Sequence, residues 1–164
     1  MKIRDEDLYH GAVLAQIADA HPFTAINAYK GTGEVSRSAY VINNDIGLYV
    51  KYASVPNHPY SEYVFNYSEE NLEELESLDL QMGSVFACHV CLEVREICAV
   101  PYIRLRKLIS ARKKAGGSIG QYNVLITAKE GEQFRVYVNA PGTKEKVLGK
   151  FPVPRNAFPS LLFK

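Results

Sequence analysis

Cys88, His89, Cys91 and Cys98 crowd into one short stretch of the chain. The Cys-x-x-Cys spacing and the ligand types suit zinc, which structural sites hold with four Cys or His ligands. The surrounding residues argue against it. Residues 85–92 form an apolar run that reads as a buried strand. Side chains on a strand alternate between faces, so Cys88 and Cys91 are expected to point to opposite sides. No second Cys-x-x-Cys and no His-x-x-x-His is present to complete the ligands. A redox Cys-x-x-Cys begins a helix, which this segment does not. Three reduced, buried cysteines acting as small hydrophobes are expected, without zinc.

Other motifs are weaker. Gly31-Thr32-Gly33 looks like the opening of a dinucleotide loop but lacks the third glycine, the following helix and the acidic partner, so a turn is the better reading. His10, His21, His58 and His89 are scattered, and no Gly-x-Ser-x-Gly or His-Glu-x-x-His pattern occurs. Covalent hydrolase chemistry is therefore not expected.

Charge is the stronger signal. The net charge of +1 hides a division. Residues 1–100 hold 6 Lys or Arg against 15 Asp or Glu, whereas residues 101–164 hold 13 against 3. One predicted helix, spanning about 102–114, carries Arg104, Arg106, Lys107, Arg112, Lys113 and Lys114. Cations grouped in this way neutralise phosphates and release counterions, which makes nucleic acid the first partner to consider. Lys129, Arg135, Lys144, Lys146, Lys150 and Arg155 add to the positive balance. Eleven tyrosines offer rings on which unpaired bases could stack. A plainer reading is that the acidic and basic parts attract each other within one fold.

Asp45, in a turn, precedes Lys51 on the strand that follows. Metal-dependent nucleases place acids beside a strand that carries a lysine. The acids hold a hard divalent cation, and the lysine positions the attacking water. Over about residues 5–92 a helix and three strands, with a fourth strand signal after them, precede the next helix and strand. With Asp45 and Lys51, this order resembles the core of the PD-(D/E)xK, restriction-endonuclease-like family. The resemblance implies a nucleic-acid-binding protein, with Mg²⁺-dependent phosphodiester cleavage or with that activity lost. The family motif has an acid two residues before the lysine, where this chain has Tyr49. Glu62, Glu34 or Glu6 would have to supply the missing metal ligand. Glu62 is the first choice, because its strand could pair with the strand carrying Lys51. The expected catalytic set is thus Asp45, Lys51 and Glu62, with Asp45 and Glu62 on the metal.

These residues need elements to position them. Asp5 or Asp7 can cap a first helix whose apolar side is Leu8, Ala12, Ala15 and Ala18, broadened by Leu14 and Ile17. His21-Pro22 ends it. Strand signals follow at 23–29, 38–42, 47–52 and 63–67, with a proline-bearing loop around His58 and Pro59. Ser68 starts a second helix with Glu69 and Glu70 in its first turn and Leu72, Leu75 and Leu78 as its stripe. Strands at 85–92 and 97–100 precede the basic helix, which Gly116-Gly117 stops. Strands at 122–128 and 134–139 lead into a proline-rich tail ending in Leu161-Leu162-Phe163.

The pattern predicts one α+β domain of 164 residues, a mixed and mostly antiparallel sheet with about three helices packed on it. No apolar run approaches the roughly 20 residues of a membrane helix. Residues 1–7 turn acidic at once, and the cysteines are odd in number, so a cytoplasmic, reducing setting without membrane contact is expected. The alternative function is a non-enzymatic interaction or self-associating domain with separate acidic and basic faces, using sheet edges and the apolar tail.

Overall fold

A computed structural model describes residues 1–31, 33–57, 60–117, 120–142 and 146–164. Thr32, His58, Pro59 and Lys144, which the sequence reading touched, lie outside the described residues. The chain forms an α+β domain with three α-helices and nine strands among the described residues. The strands divide into two sheets rather than one. The first sheet holds β1 (Ile26–Lys30), β2 (Val35–Ile42), β3 (Ile46–Ala53), β5 (Ser84–Cys91) and β6 (Glu96–Pro101), in the order 1-2-3-5-6. All its pairings are antiparallel except β3 with β5. The second sheet, fully antiparallel, holds β4 (Glu62–Ser68), β7 (Gln121–Thr127), β8 (Phe134–Asn139) and β9 (Val147–Val153), in the order 4-7-8-9.

This division corrects one expectation. Glu62 opens β4, and β4 pairs with β7 in the second sheet, not with β3, which carries Lys51. Tyr63, Phe65 and Tyr67 alternate into the core, so β4 needs an apolar layer on one side only. Both faces of β3 are covered at its start, where Ile46 to Val50 are all buried.

Two cores result. The larger lies among the inner faces of both sheets, α2 (Glu69–Gln81) and α3 (Tyr102–Lys114). It contains Tyr49, Tyr63, Phe65, Tyr67, Leu75, Leu78, Leu105 and Phe134. The smaller lies on the other face of the first sheet, beneath α1 (Asp5–Ala20) and a C-terminal 3₁₀ turn (Ser160–Phe163). The C-terminal apolar residues are used within the chain: Leu162 is buried in the smaller core, and the Phe163 ring packs against His21 with centroids 3.9 Å apart and planes tilted by 38°.

Local chemistry explains most elements. Ser68 caps α2 by accepting from the Asn71 backbone N–H at 3.2 Å, and Asn71 Oδ1 accepts from the Ser68 backbone N–H at 3.0 Å. In α1 the buried residues are His10, Val13 and Ile17, not the alanine stripe, and Leu8 is exposed. The larger Val13 and Ile17 bury more apolar area than alanines can. His10 is accepted in the core because its Nδ1 meets the Tyr40 hydroxyl at 3.0 Å. The strand at 85–92 behaves as expected: Cys88 faces the smaller core and Cys91 the larger, and all three cysteines are buried and unpaired. No helix among the described residues is long and apolar enough to cross a membrane.

Candidate functional site

Asp45, Lys51 and Glu62 do not meet. Asp45 stands before the start of β3, and its backbone carbonyl accepts from the Gly83 and Ser84 N–H groups at 2.9 and 3.3 Å. It thereby joins the beginnings of the parallel strands β3 and β5. Lys51 lies six residues further along, about 20 Å at strand rise. Glu62 accepts from the Tyr137 hydroxyl on the outer face of the second sheet. It lies four residues before Asn66, the residue whose carbonyl Lys51 contacts, or about 13 Å along β4. A divalent cation needs its carboxylates within one coordination sphere. Asp45 and Glu62 therefore do not form a seat for Mg²⁺. Among the described residues no group of three His, Cys, Asp or Glu side chains is placed to hold a metal.

Lys51 instead joins a polar network at the edge of the larger core. Its Nζ donates to the Asn66 carbonyl at 2.5 Å and to Asn71 Oδ1 at 2.7 Å, and lies 5.0 Å from the centre of the Tyr67 ring. Asn71 Nδ2 donates to the Tyr49 hydroxyl at 2.9 Å. Burial lowers the Lys51 ammonium to about 8. Next to it in the β3–β5 register is His89, which is fully buried. Burial holds its imidazole down at about 4, so it is neutral at pH 7. The Cys98 carbonyl can only accept, so His89 Nδ1 donates to it at 3.1 Å. Nε2 then accepts from the Tyr67 hydroxyl at 2.7 Å. This network satisfies the polar atoms where β3, β4 and the start of α2 converge. Its lysine is occupied by two neutral oxygens and has no carboxylate partner among the described residues.

The basic helix is divided lengthwise. Its inner side, Tyr102, Leu105, Leu108 and Ile109, is buried. One flank faces the acidic helix α2: Arg106 lies 3.9 Å from Glu76 and 3.8 Å from Asp79, and Lys113 lies 3.9 Å from Glu69. Arg112 turns back to the Gly116 carbonyl at 2.6 Å. These contacts account for part of the charge division by attraction within the fold. Arg104, Lys107 and Lys114 remain on the outer side, and no carboxylate lies within ion-pair distance of them among the described residues.

Strand β9 completes this surface. Sequence reasoning missed it because Gly149 and Pro152 interrupt its strand signal. At Gly149 the backbone has φ +64°, and an added Cβ would lie 2.6 Å from Leu108 Cδ2. A glycine thus lets β9 lie directly on α3. The next two residues frame a cleft with the helix. Phe151 forms its floor with Leu108, the Arg104 guanidinium lies 4.2 Å from the Phe151 ring centre, and Lys150 and Lys107 stand at its rim. Lys107 also borders a shallow depression with Ile103, Arg106, Ser110, Ala111 and Lys114. Arg104, Lys107 and Lys114 therefore lie along the outer side of α3, and Lys150 borders the cleft with its ammonium 5.5 Å from the centre of the Tyr137 ring on the outer face of the second sheet. Arg155 does not belong to this surface. That side chain is engaged with Glu96 and with the Lys129 and Glu132 carbonyls, which ties the two sheets together. Most tyrosines are equally committed: Tyr49, Tyr63, Tyr67 and Tyr122 are in the core, and Tyr60 is exposed.

Comparison with protein-family models, with curated proteins and with solved structures finds no match to the chain.

Proposed function

We propose that this protein binds nucleic acid through the outer side of α3 and the adjoining strand β9, by contacts to phosphates. The observation that carries the reading is the separation of the cations on α3. Arg106 and Lys113 face the carboxylates of α2 at 3.8 to 3.9 Å, whereas Arg104, Lys107, Lys114 and Lys150 face solvent with no carboxylate within ion-pair distance among the described residues. Helix and strand backbones are both rigid there, because Leu105, Leu108 and Phe151 anchor them in the core. Phosphate contacts of this kind fix a backbone and carry little base information, so binding with weak sequence preference is expected.

The restriction-endonuclease-like resemblance rests on element order, and in the structure β4 stands between β3 and α2 in that order. The placement of Asp45, Lys51 and Glu62 gives no support to metal-dependent cleavage by those residues. The proposal is thus binding without that chemistry. Fluorescence anisotropy with labelled single- and double-stranded DNA and RNA at low salt tests it. A dissociation constant of about 10⁻⁴ to 10⁻⁶ M, the range of sequence-independent binding, is expected for at least one of them. No change in anisotropy with any of the four removes the proposal.

A further inference from the structure

Helices α2 and α3 run antiparallel along a groove, as the pairing of Glu76 with Arg106 and Glu69 with Lys113 requires. The groove has a volume of about 290 Å³, close to the lower bound of small-molecule clefts. Glu69, Glu73 and Glu76 line the α2 wall, and Arg106, Ser110 and Lys113 line the α3 wall. Both sets have the same four-then-three spacing, which keeps each set on one helix face. Leu72 and the buried Ile109 form an apolar floor.

Two features of this groove are unspent. Glu73 and Ser110 both line the groove between its two ion-paired ends, and the Glu73 carboxylate has no ion pair or hydrogen bond among the described residues. At its ends, the ion pairs of Arg106 and Lys113 are 3.8 to 3.9 Å long, beyond hydrogen-bond distance. The donors of both cations are thus free to bond something else. Glu73 and Glu76 are one helical step of three residues apart, about 4.5 Å along the axis. The Glu73 carboxylate and the Arg106 guanidinium thus line one groove above Leu72 and Ile109 without an ion pair between them.

We propose that this groove is a binding site for a small zwitterion of the aliphatic α-amino-acid class. Its ammonium meets Glu73 and the Ser110 hydroxyl, its carboxylate meets Arg106, and its side chain lies on Leu72 and Ile109. Neither charge of such a ligand is sufficient alone, since each wall would repel the opposite half.

The test uses L-leucine and two analogues that each keep one charge: 3-methylbutylamine, with the ammonium only, and 4-methylpentanoate, with the carboxylate only. Methyl NMR on the full chain reads the Leu72 and Ile109 resonances during titration. Leucine is expected to shift both saturably with a millimolar dissociation constant, and both analogues to bind at least about tenfold more weakly. Glu73→Gln and Arg106→Gln should each weaken leucine binding by a similar factor, with their spectra reporting that the fold is kept. Absence of saturable shifts with leucine overturns the proposal. So does an analogue that binds as tightly as leucine, because the groove would then read one charge only.

Discussion

Replacing Gly149 with alanine tests how the basic surface is assembled. Gly149 has φ +64°, in the left-handed region that costs an L-residue about 1–2 kcal/mol. The new Cβ would stand 2.6 Å from Leu108 Cδ2, inside van der Waals contact. Leu108 is 2% exposed and sits among Leu105, Ile109 and Phe151, so its movement disturbs a packed core. Overpacking of that kind costs about 1–3 kcal/mol. Together the two effects predict a loss of about 2–5 kcal/mol in urea unfolding at unchanged m-value. A double-mutant cycle separates them. Leu108→Ala removes the obstructing methyl, so Gly149→Ala should cost less in that background, with a coupling of about 1–3 kcal/mol. A loss below about 0.5 kcal/mol for Gly149→Ala alone would refute the reasoning, since neither strain nor overlap would then be present.

Three further outcomes follow from the core. His89 takes a proton near 6.5 when unfolded but only near 4 when folded, so the unfolded state binds more protons between those values. Stability should fall as pH drops through that window, by on the order of 3 kcal/mol, and His89→Gln should flatten that part of the profile. Parallel profiles for the two proteins would contradict it. The Cys88 and Cys91 thiols are pushed up to about 12 by burial, and Cys98 is raised as well. All three should resist a thiol reagent at pH 8 until denaturant is added, and rapid labelling of the native protein would refute their placement. Arg155→Lys should lose about 1–3 kcal/mol, because an ammonium cannot reproduce the fork that meets Glu96 and two backbone carbonyls. Full stability in that variant would contradict a bridging role.

What the sequence made legible was local. The Ser68 cap, the glutamates of the first turn and the Leu72–Leu75–Leu78 spacing mark α2 because helix signals lie within a few residues of one another. The opposed cysteines follow from strand alternation alone. Partners distant in the chain were not legible. β4 has ordinary strand residues, and nothing in them shows that it joins β7, some 60 residues on, rather than the neighbouring β3. Glu62 was carried away from Lys51 by that choice. The basic helix was plain from composition, but its division was not. Arg106 and Lys113 differ from Lys107 and Lys114 only in facing α2, a fact of tertiary packing. Lys150 was visible as a charge, yet its position beside Lys107 depends on the close approach at Gly149.

The central claim is that the outer cations of α3 and β9 contact phosphates while those facing α2 do not. The slope of log affinity against log salt for duplex DNA tests this directly, because each phosphate contact contributes about −0.9. Four contacts predict a slope of about −3 to −4 for the native protein. Replacing Arg104, Lys107, Lys114 and Lys150 with glutamine should bring it close to zero, and replacing Arg106 and Lys113 should leave it nearly unchanged. A native slope near zero, or an equal loss from both sets of substitutions, would contradict the account.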